Sequence, residues 1–151
     1  MIALDTNILA RFYVEDPDDT EAARQRPLAR AIIFDGRPLF VPLTVILELE
    51  WVLRAFYDFK VAEIVRVMDH MLGLPNLFVE DASRVATAVR LREQQLDFAD
   101  ALHLAGSLHC ERFLTFDDRK FARRADRLGI KPIIAVPKPG TTDYLGYPLN
   151  A

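Results

Sequence analysis

Two apolar periods alternate along this chain. Short continuous apolar runs are each followed by a turn-forming or acidic residue, and between them lie longer stretches with apolar positions at helical spacing. The first kind predicts buried strands and the second amphipathic helices. Residues 1–4 form the first strand, followed at once by Asp5, Thr6 and Asn7. A helix over 8–14 comes next, which Asn7 can cap, and then one over 18–34, with Pro17 suited to its first turn and Gly36 at its end. Residues 39–41 predict a strand, and Pro42 opens a helix running to about residue 56. Residues 60–72 carry Val61, Ile64, Val65, Met68 and Leu72 on one helical face until Gly73 and Pro75 break the pattern. A strand at 77–79, helices at 82–95 and 98–110, a strand at 112–116, a polar helix at 118–128 closed by Gly129, and a strand at 132–136 complete the series.

Strands alternating with helices predict an α/β fold, a parallel sheet with helices on both faces. The 151 residues suit one domain with a full core. That domain is expected over 1–136, with 137–151 as an irregular C-terminal tail of the same domain, because this stretch holds three prolines and two glycines. At 51% apolar and 27% charged, the composition is that of a globular protein. No apolar run reaches the roughly 18 residues that span a bilayer, and Asp5 interrupts a signal-peptide pattern, so a cytoplasmic setting is expected. The single Cys110 excludes an internal disulfide, and no Cys/His spacing suggests zinc. The net charge of −3 argues against non-specific nucleic-acid binding as the main role, without excluding a local basic surface.

Candidate chemistry lies in the acids. Ligands of parallel sheets bind beyond the carboxyl ends of the strands, where Asp5 and Asp117 are both expected. Carboxylates crowded there take up protons unless a cation holds them ionised, so a metal site is the first hypothesis. Each acid also has a plainer reading. Asp5 suits an Asx turn or a helix cap. Glu48 and Glu50 flank the face formed by Val45, Ile46, Leu49, Val52, Leu53 and Phe56 on opposite sides. Periodicity alone does not choose between them; Glu48 is nearer the helix start, and either could be a solvated carboxylate at the edge of the face. Asp97 suits an N-cap, with Asp100 one turn later imitating a capping box; small Ala99 and Ala101 would let a ligand come close. Of Asp117 and Asp118, one should be a cap. Asp117, nearer the strand, is the better ligand candidate, with Thr115 able to donate a hydroxyl. Arg119, Arg123 and Arg127, at four-residue steps, form a basic stripe or a solvated helix face. Arg11 is a second candidate for phosphate contact. Oxygen donors without His or Cys suit Mg²⁺ or Mn²⁺. His70, His103 and His109 stand apart, and Trp51, Phe56 and Tyr57 either pack inward or face a partner.

Four ordered segments, residues 1–9, 48–53, 97–105 and 113–117, resemble the PIN-domain ribonucleases. Within that superfamily the chain looks like the VapC-type toxins of toxin–antitoxin pairs, from residue 1 to about 136. The resemblance implies a three-layer α/β/α PIN domain around a central parallel sheet. It implies Mg²⁺- or Mn²⁺-dependent hydrolysis of RNA to a 5′-phosphate and a 3′-hydroxyl. It places the catalytic acids on Asp5, Glu48, Asp100 and Asp117, an accessory acid on Asp97, and polar site positions on Asn7 and Thr115. Asp5, Asp100 and Asp117 would be metal ligands, directly or through water, and Glu48 would orient the attacking water or bind a second ion. A cognate antitoxin, a homodimer formed through early helices and no membrane association are also implied. Three other readings remain: a processing nuclease outside a toxin pair, a PIN-like binding module with a retired site, and a phosphotransferase of the haloacid-dehalogenase or receiver kind. All four acids are present, which disfavours retirement. The phosphotransferases want a lysine after a strand end that this chain lacks, and the first kind also wants Asp where Asn7 stands.

Overall fold

Each apolar run becomes a short parallel strand. In the computed structural model, which describes residues 1–142 apart from the side chains of Asp118 and Arg119, β1 (Ile2–Ala3), β2 (Leu39–Val41) and β3 (Leu77–Val79) form one ladder in that order. Ile2 lies opposite Leu39, and Leu39 opposite Leu77. β4 (Arg112–Leu114) and β5 (Ile133–Ala135) form a second ladder, with Arg112 opposite Ile133. Helices α1 (Thr6–Tyr13), α2 (Thr20–Phe34), α3 (Leu43–Trp51), α4 (Val61–Gly73), α5 (Ala82–Glu93), α6 (Phe98–Ala105) and α7 (Arg123–Arg127) alternate with the strands. The expected three-layer α/β/α architecture is therefore the observed one. The strands are all parallel, but they make two ladders where a single central sheet was expected. Residues 143–151, most of the expected tail, lie outside the described residues.

The core follows the predicted periods. Leu39 and Val41 of β2, Ile46 and Leu49 of α3, Met68 and Met71 of α4, Val85 and Val89 of α5, and Phe98 and Leu104 of α6 are buried together, and Phe121 and Ala125 join them from the C-terminal segment. Each of these side chains except that of Ala125 contributes about 1.5–3 kcal/mol when removed from water. No helix among the described residues is long and apolar enough to cross a membrane.

Three expectations shift. Asp5, not Asn7, caps α1: its Oδ1 accepts a hydrogen bond from the Thr6 amide at 2.8 Å, so the helix starts earlier than residue 8. The helix expected over 98–110 stops at Ala105, capped by Gly106. Two helices also contain π turns. α3 runs into one at Val52–Phe56, closed by the Tyr57 amide on the Val52 carbonyl at 3.2 Å, and another spans Asp118–Ala122 before α7. A π turn inserts one residue, so the side chains beyond it lag by about 100°. Phe56, placed on the buried face by an unbroken period, is consequently 76% exposed.

Candidate active site

The elements that carry the acids are anchored by hydrogen bonds between neighbouring segments. Pro42 begins α3 but has no side-chain oxygen with which to cap it. Glu80, at the end of β3, supplies the missing acceptor: the Leu43 amide donates to its Oε2 at 2.7 Å. This bond ties to β3 the helix that bears Glu48. Burial then separates the two glutamates that periodicity could not. Glu48 is exposed, whereas Glu50 is only 2% exposed. Glu50 is thus no solvated carboxylate: its Oε1 accepts from Arg54 Nε at 2.9 Å and lies 4.0 Å from Arg92 Nε.

Asp97 caps α6, accepting through Oδ1 from the amides of Ala99 at 3.0 Å and Asp100 at 3.4 Å. The reciprocal half of a capping box is absent, because Asp100's carboxylate accepts no hydrogen bond among the described residues. After β4 the cap is Asp117 itself, whose Oδ1 accepts from the Lys120 amide at 3.0 Å. Thr115 holds this turn, its Oγ1 accepting from the Asp117 amide at 3.0 Å.

Three cavities with shared walls hold these residues. One of about 320 Å³ is lined by Asp5, Asn7, Arg11 and Glu48. The next, about 450 Å³, shares Glu48 and Trp51 with it and adds Arg54 and Asp97. The third, about 430 Å³, shares Asp97 with the second and brings in Asp100 and Asp117. The expected acids therefore line three adjoining cavities, Asp5 in the first and Asp117 in the third. Asp5 follows β1 in one ladder and Asp117 follows β4 in the other.

Asp100 shows the electrostatic cost of this arrangement. Burial raises its pKa above the usual aspartate value, the negative charge of Asp97 raises it further, His103 opposes the shift, and Asp117 adds to it. His103 itself stacks on Phe113, with ring centroids 6.4 Å apart. A cation among these carboxylates would relieve their repulsion. Among the described residues no three His, Cys, Asp or Glu side chains are placed to hold one metal ion together. The donor chemistry nonetheless fits a hard cation such as Mg²⁺, which keeps several waters and is held by one or two carboxylates.

Among the described residues, three cations stand with the acids of the third cavity. Arg92, Lys120 and Arg124 line the third cavity. Lys120 and Arg124 form no ion pair with the acids there, among the described residues. Arg124 donates through Nη1 to the Gln95 carbonyl, and Gln95 holds a left-handed backbone with φ 71°. The Arg119 side chain lies outside the described residues, and Arg123 is exposed on α7. Lys120 and Arg124 are also four residues apart, on the segment that runs from the π turn into α7. Arg11 lines the first cavity but is engaged, donating to Gln25 Oε1 at 2.9 Å and to the Tyr57 hydroxyl at 3.1 Å.

Comparison with curated proteins and with solved structures finds no match. The PIN domain family does match, over residues 2–127, a span that takes in β1 through α7 and every acid of the three cavities. With that match covering most of the chain, the protein belongs to the PIN-domain family.

Proposed function

We propose that this protein is a metal-dependent endoribonuclease, the toxin of a VapC-type toxin–antitoxin pair. PIN domains are generally metal-dependent nucleases. The observation that carries the reading is the third cavity, where Asp97, Asp100 and Asp117 meet Arg92, Lys120 and Arg124. A site that cuts a phosphodiester needs both carboxylates and groups that bind phosphate. Asp100 and Asp117, which share the third cavity, would hold Mg²⁺ or Mn²⁺ directly or through water, and Asp5 would act on it through water only. When bound, such an ion lowers the pKa of water and neutralises charge on the phosphodiester. Glu48, in the wall between two cavities, orients the attacking water. The water oxygen would bond to phosphorus as it gives up a proton, the bond from phosphorus to the 3′-oxygen would break, and the leaving 3′-oxygen would take up a proton, giving a 5′-phosphate and a 3′-hydroxyl. Lys120 and Arg124 hold phosphate oxygens. Exposed Leu28 and Phe34 on α2, with Trp51 and Phe56 beside the site, support protein partners: a second copy and an antitoxin in the cytoplasm.

Mixed tRNA and rRNA incubated with antitoxin-free protein in Mg²⁺, Mn²⁺ or EDTA tests the chemistry. Cleavage is expected only with metal, and neither Asp5→Asn nor Asp100→Asn should cut although both stay folded. Folded, metal-supplied protein that cuts nothing would leave a binding module instead. Expression that does not slow translation would remove the toxin role and leave a processing nuclease.

A further inference from the structure

Glu50 plays no part in the chemistry above, yet its buried carboxylate joins two separate elements beneath the site. From α3 it pairs with Arg54 of the following π turn, Nε to Oε1 at 2.9 Å, and stands 4.0 Å from Nε of Arg92 near the end of α5. Arg54 lines the cavity of Glu48 and Trp51, Arg92 lines the cavity of Asp100 and Asp117, and Asp97 is common to both. One carboxylate thus sets a guanidinium on each side of Asp97.

Two guanidiniums face the buried Glu50 carboxylate, and the charge of Asp97 also acts on Arg54, so the arginines stand where the acids of both cavities meet. Their donors are also incompletely used. Arg92 gives Nη1 to the Leu96 carbonyl at 3.1 Å, and with its Nε buried, what it can offer a phosphate is the 14% of its side chain exposed in the third cavity. Arg54 uses Nε on Glu50 and remains 39% exposed. A guanidinium has five N–H donors in a fixed fork that matches phosphate oxygens. Neutralising Glu50 alone would need only one arginine.

We propose that Arg54 and Arg92 bind two backbone phosphates of the RNA, one on each side of Asp97, and that Glu50 is the positioning residue for both. This rests on the ribonuclease reading above and names the part of the site that places the strand.

Binding, measured apart from cleavage, tests it. The affinity of a short fluorescent single-stranded RNA is followed in Ca²⁺ over a series of KCl concentrations, with folding checked by circular dichroism. Removing one arginine that neutralises a phosphate should flatten the plot of log Kd against log salt by about 0.7. That flattening is expected for Arg54→Gln and for Arg92→Gln, about double for Glu50→Ala, which removes the acceptor as well as the charge, and none for Arg66→Gln, an exposed cation of α4. Arg54→Lys should restore most of the slope. An unchanged slope in folded Arg54→Gln or Arg92→Gln overturns the phosphate assignment. A folded Glu50→Ala of wild-type slope overturns the positioning role, and should it unfold, the arginine variants decide. Metal-dependent cleavage with unaltered slopes would reject the arginine pair and keep the ribonuclease; altered slopes without cleavage would do the reverse.

Discussion

Replacing Glu50 with glutamine removes a negative charge from a position 2% exposed and leaves two guanidiniums without their shared counter-charge. The two arginines do not suffer equally. Arg54, 39% exposed, can turn to water, so its loss belongs to the surface range of about 0–1 kcal/mol. Arg92 is 14% exposed and would keep only the Leu96 carbonyl as a partner. Losing one member of a buried ion pair costs about 3–5 kcal/mol. Because glutamine still accepts a hydrogen bond from Arg54, the lower end, about 3 kcal/mol, is expected. At about 2–4 °C per kcal/mol for a chain of this size, the melting midpoint should fall by about 6–12 °C. Glu48→Gln, two residues away on the same helix but exposed, should change stability by less than about 0.5 kcal/mol. Thermal and urea unfolding followed by circular dichroism, in EDTA near neutral pH, compares the two. Equal stability of the two variants would refute the buried hub. Replacing Glu50, Arg54 and Arg92 together with methionine should recover most of the loss, since apolar residues of similar volume substitute well for a buried ionic cluster.

The remaining predictions concern Asp100 and the cation. Since its pKa is raised in the fold, the folded state binds the Asp100 proton more tightly than the unfolded chain does. The resulting stability is fully present below the unfolded value of about 3.9 and is lost as pH rises through the raised value. Without metal, wild type should therefore lose stability relative to Asp100→Asn across that window, leaving the variant more stable at neutral pH; a wild type that gains on the variant would show the opposite sign. Adding Mn²⁺ at about a hundred times its Kd should stabilise wild type by about 2.7 kcal/mol and Asp100→Asn by less. Melting curves that Mn²⁺ leaves unmoved would argue against a cation among these acids.

Much of the fold was legible because burial imposes its period on the chain. The runs at Leu39–Val41 and Leu77–Val79 had to be strands, and Val61 to Leu72 had to present one face to a core. What escaped the pattern is physically of one kind. Reading a face from spacing assumes a constant 100° per residue, and two π turns each break that constant by one residue. Phe56 went to the wrong side for this reason, and Lys120 and Arg124, which line the acid cavity beyond the second π turn, drew no notice from spacing. Nothing in composition marks such a turn. Glu50 escaped differently. It stands as far from the apolar face as Glu48, and one of the arginines that bury it, Arg92, lies far along the chain, where no local period reaches. The position of Arg92 and Gln95 just ahead of Asp97 was the available signal.

For three of the acids the structural and the chemical readings are compatible. Asp5, Asp97 and Asp117 each commit Oδ1 to a backbone amide at the start of a helical segment. That bond fixes the carboxylate's orientation and leaves its second oxygen without a capping role. The cap thus preorganises a possible ligand at little cost, because the helix would need a cap there in any case. Asp100 differs, for it caps nothing and is the acid whose charge the fold disfavours. The distinction dictates which substitutions are informative. Asparagine caps a helix about as well as aspartate, whereas alanine loses about 1 kcal/mol at such a position. At Asp5 and Asp117, Asn removes the charge and keeps the cap, so lost activity reports on chemistry; Ala removes both. At Asp100 the two exchanges should agree, since neither sacrifices a capping bond. A protein in which Asp5→Asn cuts RNA normally while Asp5→Ala does not would assign Asp5 to the helix alone.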